Sequence, residues 1–330
     1  MGDGAAMNRR DFIRIGAMGA AAVALPTSGA APAPKFKTVL HKALIAKRFD
    51  SKLVASLKES GFPGVELSDP SISVEEARAV RTAAEREGLR IHSVMNGGWC
   101  AFNSPDASKR AESIERTKHA LRVASAFGAG AVLVVPGRIP APDIPAEKFD
   151  LEWDPRTLHL VRAVKGDNAP YAEYIKAHNE AADATVAAVR ELIPVAAEVG
   201  VAIALENVWN QLWVKPAFAA AFIRSFENPW VRAYLDLGNH VKYAPCEEWV
   251  RAFGPLAVKF HIKDFLVKRD AKRGGEFVPI GKGSIDWPSV RRTMDEMGCS
   301  GWVSIESGGW TNGEHSAIMD RFFAGLPVLA

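Results

Sequence analysis

The stretch VRAYLDLGNH at residues 231–240 is an apolar run that ends in an acidic side chain, Asp236, before a turn. A few β-branched or aromatic residues followed by a polar residue are typical of a buried parallel strand that stops there. Three further runs have the same form: VAIALEN (201–207, with Glu206), AVKFHIKD (257–264, with His261) and WVSIESGG (302–309, with Glu306). Helix-like segments separate the four runs, which predicts successive strands of one parallel sheet.

The rest of the chain continues this alternation of short apolar runs and helical segments. Including the four runs, eight strand-plus-helix units follow one another, the first strand being predicted at residues 36–41. Eight units favour a sheet that closes on itself, so the predicted fold is α/β, a single (β/α)8 TIM barrel. The alternative is an open doubly wound sheet, which normally carries a glycine-rich phosphate turn after its first strand. The sequence contains no such turn at that position.

One segment interrupts the alternation. Residues 138–168 are rich in proline, include Trp153 and mixed charges, and have no clean periodicity. We interpret this segment as a long loop inserted after the fourth strand, on the face of the barrel where the strands end. It is therefore a candidate lid or substrate wall.

Four polar side chains that end strands of a closed parallel barrel must converge at one of its ends. We call these residues the strand-end quartet: Glu206, Asp236, His261 and Glu306. Their hard oxygen and nitrogen ligands suit Mn²⁺, Mg²⁺, Co²⁺ or Zn²⁺. Each residue alone has a structural alternative, since a strand-end carboxylate also caps a turn or helix and a histidine on an apolar strand is usually a core residue. Their coincidence at four strand ends favours a metal site.

The N-terminus has the form of an export signal. Residues 8–14 (NRRDFIR) are followed by a small, apolar stretch at 15–25 and an alanine- and proline-rich run to residue 34. This order resembles a twin-arginine signal peptide, and an amphipathic N-terminal helix is the alternative. We therefore expect residues 1–34 to be signal and linker, residues 35–330 to be the barrel, and the protein to reach the periplasm through the twin-arginine export machinery.

Composition excludes several classes of protein. The formal net charge is only +3, and no basic cluster interleaved with aromatic residues indicates a nucleic-acid partner. No later stretch is long and apolar enough to be a transmembrane helix, so we expect no stable membrane insertion. The three cysteines, Cys100, Cys246 and Cys299, form no CxxC motif, and we interpret them as core or surface thiols. The sequence leaves the oligomeric state open.

Five motifs together carry a resemblance to a known family. They are ALEN (204–207), YLDLGNH (234–240), FHIKD (260–264), PIGKGSIDW (279–287) and SIES (304–307). In this order and spacing, the chain from about Phe36 to the C-terminus resembles the xylose isomerase-like TIM barrels. That group of sugar isomerases and epimerases also includes endonuclease IV. The resemblance implies that the strand-end quartet holds one divalent ion, for which we expect manganese, with cobalt, magnesium and zinc as alternatives.

The chemistry of such a site begins next to a carbonyl group. Isomerising or epimerising a ketose requires removal of a weakly acidic proton, and a metal ion on the substrate oxygens stabilises the enediolate that forms. One carboxylate takes the proton, and a second returns a proton on the opposite face. The resemblance implies that Glu206 and Glu306 are these catalytic residues, and the sequence leaves open which of them is the base.

Four further residues are candidates for binding the substrate. His240 lies in a predicted loop, where it donates to a substrate hydroxyl or is a surface residue. Lys263 shares the strand side of His261 and reaches a substrate oxygen, or is a surface lysine. Asn207 contacts the substrate, orients a loop or holds a ligand carboxylate. Glu66 ends the second strand, where it binds a sugar hydroxyl or forms a salt bridge at the barrel end.

These patterns favour a divalent-metal-dependent isomerase or epimerase acting on an unphosphorylated sugar or sugar derivative, because phosphorylated sugars are scarce outside the cytoplasm. An alternative on the same metal site is a lyase or hydratase of 3-keto-glycosides, whose first step is the same proton abstraction. An alternative of another class is a non-catalytic sugar-binding protein. An endonuclease IV-like enzyme fits poorly, because its zinc cluster needs additional histidines and export removes the protein from DNA.

Overall fold

The computed structural model describes residues 35–269, 271 and 273–329, and the predicted export signal lies outside this part of the chain. The strands are β1 (Leu40–Ala46), β2 (Gly64–Leu67), β3 (Arg90–Trp99), β4 (Ala131–Val135), β5 (Phe149–Trp153), β6 (Leu160–Val164), β7 (Ala202–Glu206), β8 (Val231–Asp236), β9 (Ala257–Ile262), β10 (Asp264–Val267), β11 (Gly275–Val278) and β12 (Gly301–Ile305). The helices are α1 (Ser51–Ser60), α2 (Val74–Arg86), α3 (Ala107–Phe127), α4 (Ala172–Val199), α5 (Pro216–Arg224), α6 (Cys246–Phe253), α7 (Trp287–Glu296) and α8 (Asn312–Phe323).

Eight of these strands form one closed parallel barrel in the cyclic order β1-β2-β3-β4-β7-β8-β9-β12. The first and last strands close the ring, with Leu44 opposite Ile305. The (β/α)8 prediction is therefore confirmed, and the open sheet is excluded. None of the helices in the described residues is long and apolar enough to cross a membrane. The three cysteines are buried, free thiols.

Local capping signals set the helix boundaries. The Asp50 side chain accepts the Leu53 N–H at 2.8 Å and begins α1, and Gly61 ends it in the left-handed conformation with φ of 70°. Ser73 and Glu76 form a reciprocal capping box at the start of α2. These interactions satisfy backbone groups that a helix leaves without partners, which is why the boundaries are readable in the sequence.

Two apolar cores support the barrel. The larger one lies between the strands and the surrounding helices. The smaller one fills the barrel interior: Ala131, Leu133, Val135, Ala202, Ala204 and Tyr234. Nearer the amino end of the barrel, a Cβ on Gly64 would lie 2.1 Å from the Trp302 ring, so glycine leaves the space that this indole occupies. A packed interior keeps the strand ends in fixed positions.

The first strand begins four residues later than predicted, at Leu40 and not at Phe36. The segment before β1 binds α7 with its polar groups, because Thr38 donates to Asp295 through both its N–H and its hydroxyl at 2.8 Å. The Arg291 guanidinium donates to the Thr38 carbonyl at 2.9 Å and lies over the Phe36 ring. These side-chain contacts replace ladder pairing, so the strand begins only at Leu40.

The insertion after the fourth barrel strand is not a structureless loop. It contains the antiparallel hairpin β5-β6, in which Phe149 pairs with Val164. Phe149 and Leu151 are buried on one side of β5, and Trp153 stacks on Phe218 of α5 at 4.6 Å. The alternation in FDLEW was the signal for this strand. A second hairpin, β10-β11, which the sequence analysis did not predict, follows β9 directly.

Candidate metal centre

The strand-end quartet meets at the carboxyl end of the barrel. Glu206 and Asp236 are the last residues of β7 and β8, His261 is the penultimate residue of β9, and Glu306 follows β12. These four strands are consecutive neighbours in the barrel. One ligand atom from each residue lies within 4.8 Å of the other three. The fold thus brings together all four side chains that the sequence singled out.

The donor atoms face one another as a cation site requires. His261 Nδ1 lies 2.9 Å from Glu306 Oε2, 3.5 Å from Glu206 Oε1 and 3.9 Å from Asp236 Oδ2. His261 Nδ1, Asp236 Oδ2 and Glu306 Oε2 are buried atoms, and the Lys263 ammonium contacts both of these carboxylate oxygens. Three carboxylates and one ammonium leave an excess of negative charge in this buried site, which a divalent cation would neutralise. The donor set therefore fits the ion that the sequence predicts.

Asp236 serves the turn and the site with different oxygens. Its Oδ1 accepts the backbone N–H groups of Gly238 at 2.8 Å and Asn239 at 2.6 Å. Its Oδ2 faces His261 and Lys263. The turn-capping alternative and the metal-site prediction are thus compatible, because capping fixes the carboxylate in the orientation that presents Oδ2.

Asn207 braces the same residue from β7. Its side-chain amide donates to the Asp236 carbonyl at 2.8 Å, and its Oδ1 accepts the Asp236 N–H at 2.7 Å. Both ends of the amide are therefore engaged by backbone groups, and Asn207 is buried. This placement disagrees with the predicted substrate contact, and it differs from the alternative of a held ligand carboxylate, because Asn207 holds the backbone of the ligand residue Asp236 and not its carboxylate.

Glu66 lies behind His261. Its Oε2 is 2.8 Å from His261 Nε2 and accepts the Tyr234 hydroxyl at 2.7 Å, and all three residues are fully buried. A carboxylate at Nε2 favours the tautomer with its proton there, which leaves the Nδ1 lone pair for the site. This burial disagrees with the predicted contact between Glu66 and a sugar hydroxyl; Glu66 instead accepts a buried hydrogen bond from His261, at the place where the alternative predicted a barrel-end salt bridge.

Burial and charge move the pKa values of the two glutamates in opposite directions. Burial raises the pKa of Glu206 to about 7, against the stabilising contact with His261. Burial also opposes ionisation of Glu306, but His261 and the Lys263 ammonium outweigh it and hold the pKa of Glu306 below its ordinary value. Burial thus favours the protonated form of Glu206, whereas the positive charge around Glu306 favours its carboxylate.

Lys263, a sequence candidate for substrate binding, lies in the site. Its Nζ lies 2.7 Å from Glu306 Oε2 and 3.0 Å from Asp236 Oδ2, and its side chain is 12% exposed. Burial alone would lower the pKa of Lys263, but the neighbouring carboxylates raise it above its ordinary value. The surface-lysine alternative does not hold, because the ammonium group lies among the quartet.

His240 is neither at the surface nor open to a substrate. It is 1% exposed, its Nε2 lies 2.9 Å from the Val208 carbonyl, and its ring packs on Trp249 with centroids 4.8 Å apart. Burial lowers the pKa of His240 to about 3, so the ring is neutral and Nε2–H donates to that carbonyl. The predicted hydroxyl contact is corrected: His240 supports the loops that follow β7 and β8.

The quartet opens to solvent on the side of Glu306, whose side chain is 36% exposed, whereas those of His261 and Asp236 are fully buried. A cleft of about 490 Å³ begins there. Its lining includes Asn239, Lys263, Phe277, Pro279, Glu306 and Ser307. This volume lies in the range of small-molecule sites, roughly 300–1,000 Å³, so the open side is the candidate substrate cleft.

Two residues of the site were missed in the sequence. Tyr234 lies two positions before Asp236, and period-two alternation places it on the inward side of the same strand. Asn239 donates to Glu206 Oε1 at 3.4 Å, and its carbonyl accepts the Trp209 indole N–H. Alternation was a usable signal for Tyr234. The sequence contained no signal for Asn239, because the conformation of the turn after β8 sets the direction of its side chain.

A comparison with models of protein families identifies the family of this chain. Residues 54–318 match the family model of the xylose isomerase-like TIM barrel. The chain belongs to this family. Residues 6–26 match the signal sequence of the twin-arginine translocation pathway, which identifies a signal for export across a membrane. Comparison with curated proteins gives no match.

Solved structures share the fold of this family member at low sequence identity. A xylose isomerase-like TIM barrel protein from Mycobacterium smegmatis in complex with magnesium is 21% identical, with 89% of this chain and 98% of that chain covered and a TM-score of 0.60. A 3-keto-D-glucoside 4-epimerase from E. coli, in its apo form, is 16% identical, with coverages of 87% and 99% and a TM-score of 0.60. A D-allulose 3-epimerase from Methylomonas sp. in complex with D-allulose is 19% identical, with coverages of 82% and 85% and a TM-score of 0.57.

Proposed function

We propose that this xylose isomerase-like barrel is a divalent-metal-dependent isomerase or epimerase of an unphosphorylated sugar or sugar derivative. The observation that carries the proposal is the convergence of four ligand atoms, from Glu206, Asp236, His261 and Glu306, within 4.8 Å at the carboxyl end of the barrel. We propose manganese as the resident ion, since two glutamates, one aspartate and one imidazole suit it.

Proton transfer beside a carbonyl is the reaction that this donor set supports. A divalent ion held by the quartet would supply Lewis-acid stabilisation of the negative charge that develops on the substrate oxygens. Glu206 and Glu306 project from β7 and β12, which are separated in the barrel by β8 and β9. In the proposed reaction one carboxylate removes the proton from one face of the sugar, and the other returns a proton to the opposite face.

Lys263 and Asn239 would hold the substrate in that position. The Lys263 ammonium is adjacent to Glu306 and lines the open cleft, so it can donate to a substrate oxygen that gains negative charge. Asn239 also lines the cleft, where its amide contacts Glu206. Both groups are preorganised, because each already contacts a member of the quartet.

A second candidate on the same site is a lyase or hydratase of 3-keto-glycosides. Export is compatible with this reaction as with the first, because neither requires a phosphorylated sugar, and both begin with the same proton abstraction. The E. coli protein of the same fold is a 3-keto-D-glucoside 4-epimerase. The two candidates differ only after the first proton has been removed, when the intermediate either regains a proton or expels its glycosidic oxygen.

The experiment that tests the proposal combines turnover with isotope exchange. The manganese-loaded barrel is incubated in deuterated water with a panel of free ketoses and 3-keto-glycosides. We expect solvent deuterium at the carbon next to the carbonyl, together with an isomer, an epimer or an elimination product. Absence of deuterium incorporation with every substrate, in protein that carries its metal and binds sugar, would support the non-catalytic alternative.

We further propose that residues 1–34 direct export of the folded barrel, residues 35–330, to the periplasm. The signal match at residues 6–26 supports this, and Arg9 and Arg10 are its paired arginines. Replacing both arginines with lysine should leave the precursor in the cytoplasm while the barrel remains folded. Undiminished export of that variant would refute the twin-arginine route.

A further inference from the structure

The hairpin β10-β11 presents an aromatic side chain to the cleft. Phe265 and Phe277 pair directly across the two strands, with ring centroids 5.2 Å apart. Phe265 is fully buried, whereas Phe277 is 47% exposed and lines the cleft beside Lys263 and Glu306. A large aromatic ring that remains half-exposed beside a reaction site is available to pack on a ligand.

The base of this hairpin is locked by a buried carboxylate. Asp264 Oδ2 accepts the backbone N–H groups of Gly281 at 2.9 Å and Gly283 at 3.1 Å, and the Trp287 indole N–H at 3.2 Å. A Cβ on Gly283 would lie 1.9 Å from Asp264 Oδ1, so only glycine allows this approach. The motifs FHIKD and PIGKGSIDW thus meet in one clamp, which fixes the hairpin relative to His261.

The loop after β12 forms the opposite wall of the cleft, and it packs against Pro279 and Ile280, which follow β11. Gly309 has φ of 89°, and a Cβ on it would lie 2.4 Å from the Pro279 ring. The Trp310 indole N–H donates to the Ile280 carbonyl at 3.2 Å. The loop after β12, which begins with Glu306, is therefore held against the end of the hairpin. The cleft between them is preformed.

The Phe277 ring packs against a second aromatic ring, that of Trp209. Its centroid lies 5.0 Å from that of Trp209, and Lys242 Nζ lies 3.5 Å from the Trp209 centroid. The Trp209 indole also donates to the Asn239 carbonyl. These contacts fix the direction of Phe277, so its exposed surface is a rigid platform and loses little side-chain entropy when a ligand covers it.

We propose that this platform is a second-ring subsite, and that the substrate is a glycoside whose reacting sugar lies at the quartet while the ring of its aglycone packs on Phe277. This inference rests on the proposed function. Ring faces are apolar on their C–H side and match an aromatic surface. The Lys263 ammonium lies 5.4 Å from the Phe277 ring centroid, so a sugar that Lys263 holds at the quartet has its neighbouring ring beside Phe277. The cleft of about 490 Å³ extends from the quartet to Phe277 and holds more than a single free ketose.

The test compares two glycosides that differ only in the aglycone. We expect the manganese-loaded enzyme to turn over a phenyl 3-keto-glucoside with a higher kcat/KM than the methyl 3-keto-glucoside. Phe277→Ala should remove this preference, lowering the phenyl value about tenfold or more with little change for methyl, because the apolar contact is lost. Phe277→Tyr should keep the preference. The control is Val161→Ala, which removes an exposed apolar side chain from the other hairpin and should change neither value.

Binding measurements separate this inference from the proposed reaction. If no substrate turns over, calorimetry with phenyl glucoside and methyl glucoside tests the subsite alone, and the phenyl compound should bind more tightly in a Phe277-dependent way. Equal handling of both aglycones by the wild-type protein would overturn the subsite. An equal loss for both compounds in Phe277→Ala would overturn it as well, since the side chain would then act only through the fold.

Discussion

The inner and outer halves of the candidate metal centre are built differently. On the inner side, His261 and Asp236 are fully buried, and each is held by a hydrogen-bonded partner, Glu66 and Asn207 respectively. On the outer side, Glu306 follows its strand, is 36% exposed and borders a cleft. The partners of Glu306 are His261 and Lys263 within the site itself.

This difference indicates that the two halves of the site have different functions. Removing an inner partner leaves a buried group unsatisfied and disturbs the position of a ligand, which costs about 1–3 kcal/mol per group. Changing an outer group leaves the barrel packed and alters the binding and conversion of a substrate in the cleft. The inner half should therefore govern metal affinity and stability, and the outer half should govern turnover and substrate choice.

The largest effect is expected for Glu306→Gln on the outer side. The amide keeps the shape of the side chain but accepts no proton, so turnover should decrease by about 10²–10⁴-fold in protein whose metal occupancy has been confirmed. Thermal stability should remain close to that of the wild type. Glu191→Gln, on the exposed surface of α4, is the matched control and should retain full activity. Full activity of metal-loaded Glu306→Gln would remove this carboxylate from the mechanism.

Glu206→Gln tests the role of the second glutamate of the quartet. It should also slow net turnover, by about 10²–10⁴-fold, because a second carboxylate is needed on the other face of the sugar. If each carboxylate serves one face, one of the two variants will still exchange substrate hydrogen with deuterated water without completing the reaction. Identical loss of exchange in both variants would argue against separate faces.

An intermediate effect is expected for Glu66→Gln on the inner side. Loss of the carboxylate charge behind His261 weakens the orientation and basicity of Nδ1, so the affinity for Mn²⁺ should fall about 10–100-fold. Calorimetric titration of metal-free protein measures this directly. Turnover at saturating metal should change much less than in Glu306→Gln. Unaltered Mn²⁺ affinity would show that Glu66 serves only to fill the barrel interior.

The smallest effect is expected for Asn207→Ala. Both side-chain hydrogen bonds to the Asp236 backbone are lost in a buried position, so the free energy of unfolding should decrease by about 1–3 kcal/mol. Asn103→Ala, which removes one hydrogen bond to the Arg138 carbonyl near the surface, is the control and should cost less. Denaturant titration of both variants gives the comparison. An Asn207→Ala protein as stable as the wild type would contradict the bracing role.

The quartet could be predicted because its signal is local. A parallel strand buried on both faces is a mostly apolar run, so an acidic or imidazole side chain at its end stands out, and a closed barrel brings such ends together. For Glu66 and Asn207 the sequence left a substrate contact and a structural role open, since the choice depends on which neighbour each side chain meets. The hairpin β10-β11 was missed because its two short apolar segments, around Phe265 and Phe277, flank a strongly charged tip.

Metal analysis of the purified barrel shows whether the strand-end quartet holds one divalent ion. We expect one ion per chain in the wild type and near-complete loss in His261→Ala. The control is His178→Ala, which removes a buried histidine of α4 and should retain the ion. Full metal retention in His261→Ala, or a wild-type chain that takes up no divalent ion, would contradict the account.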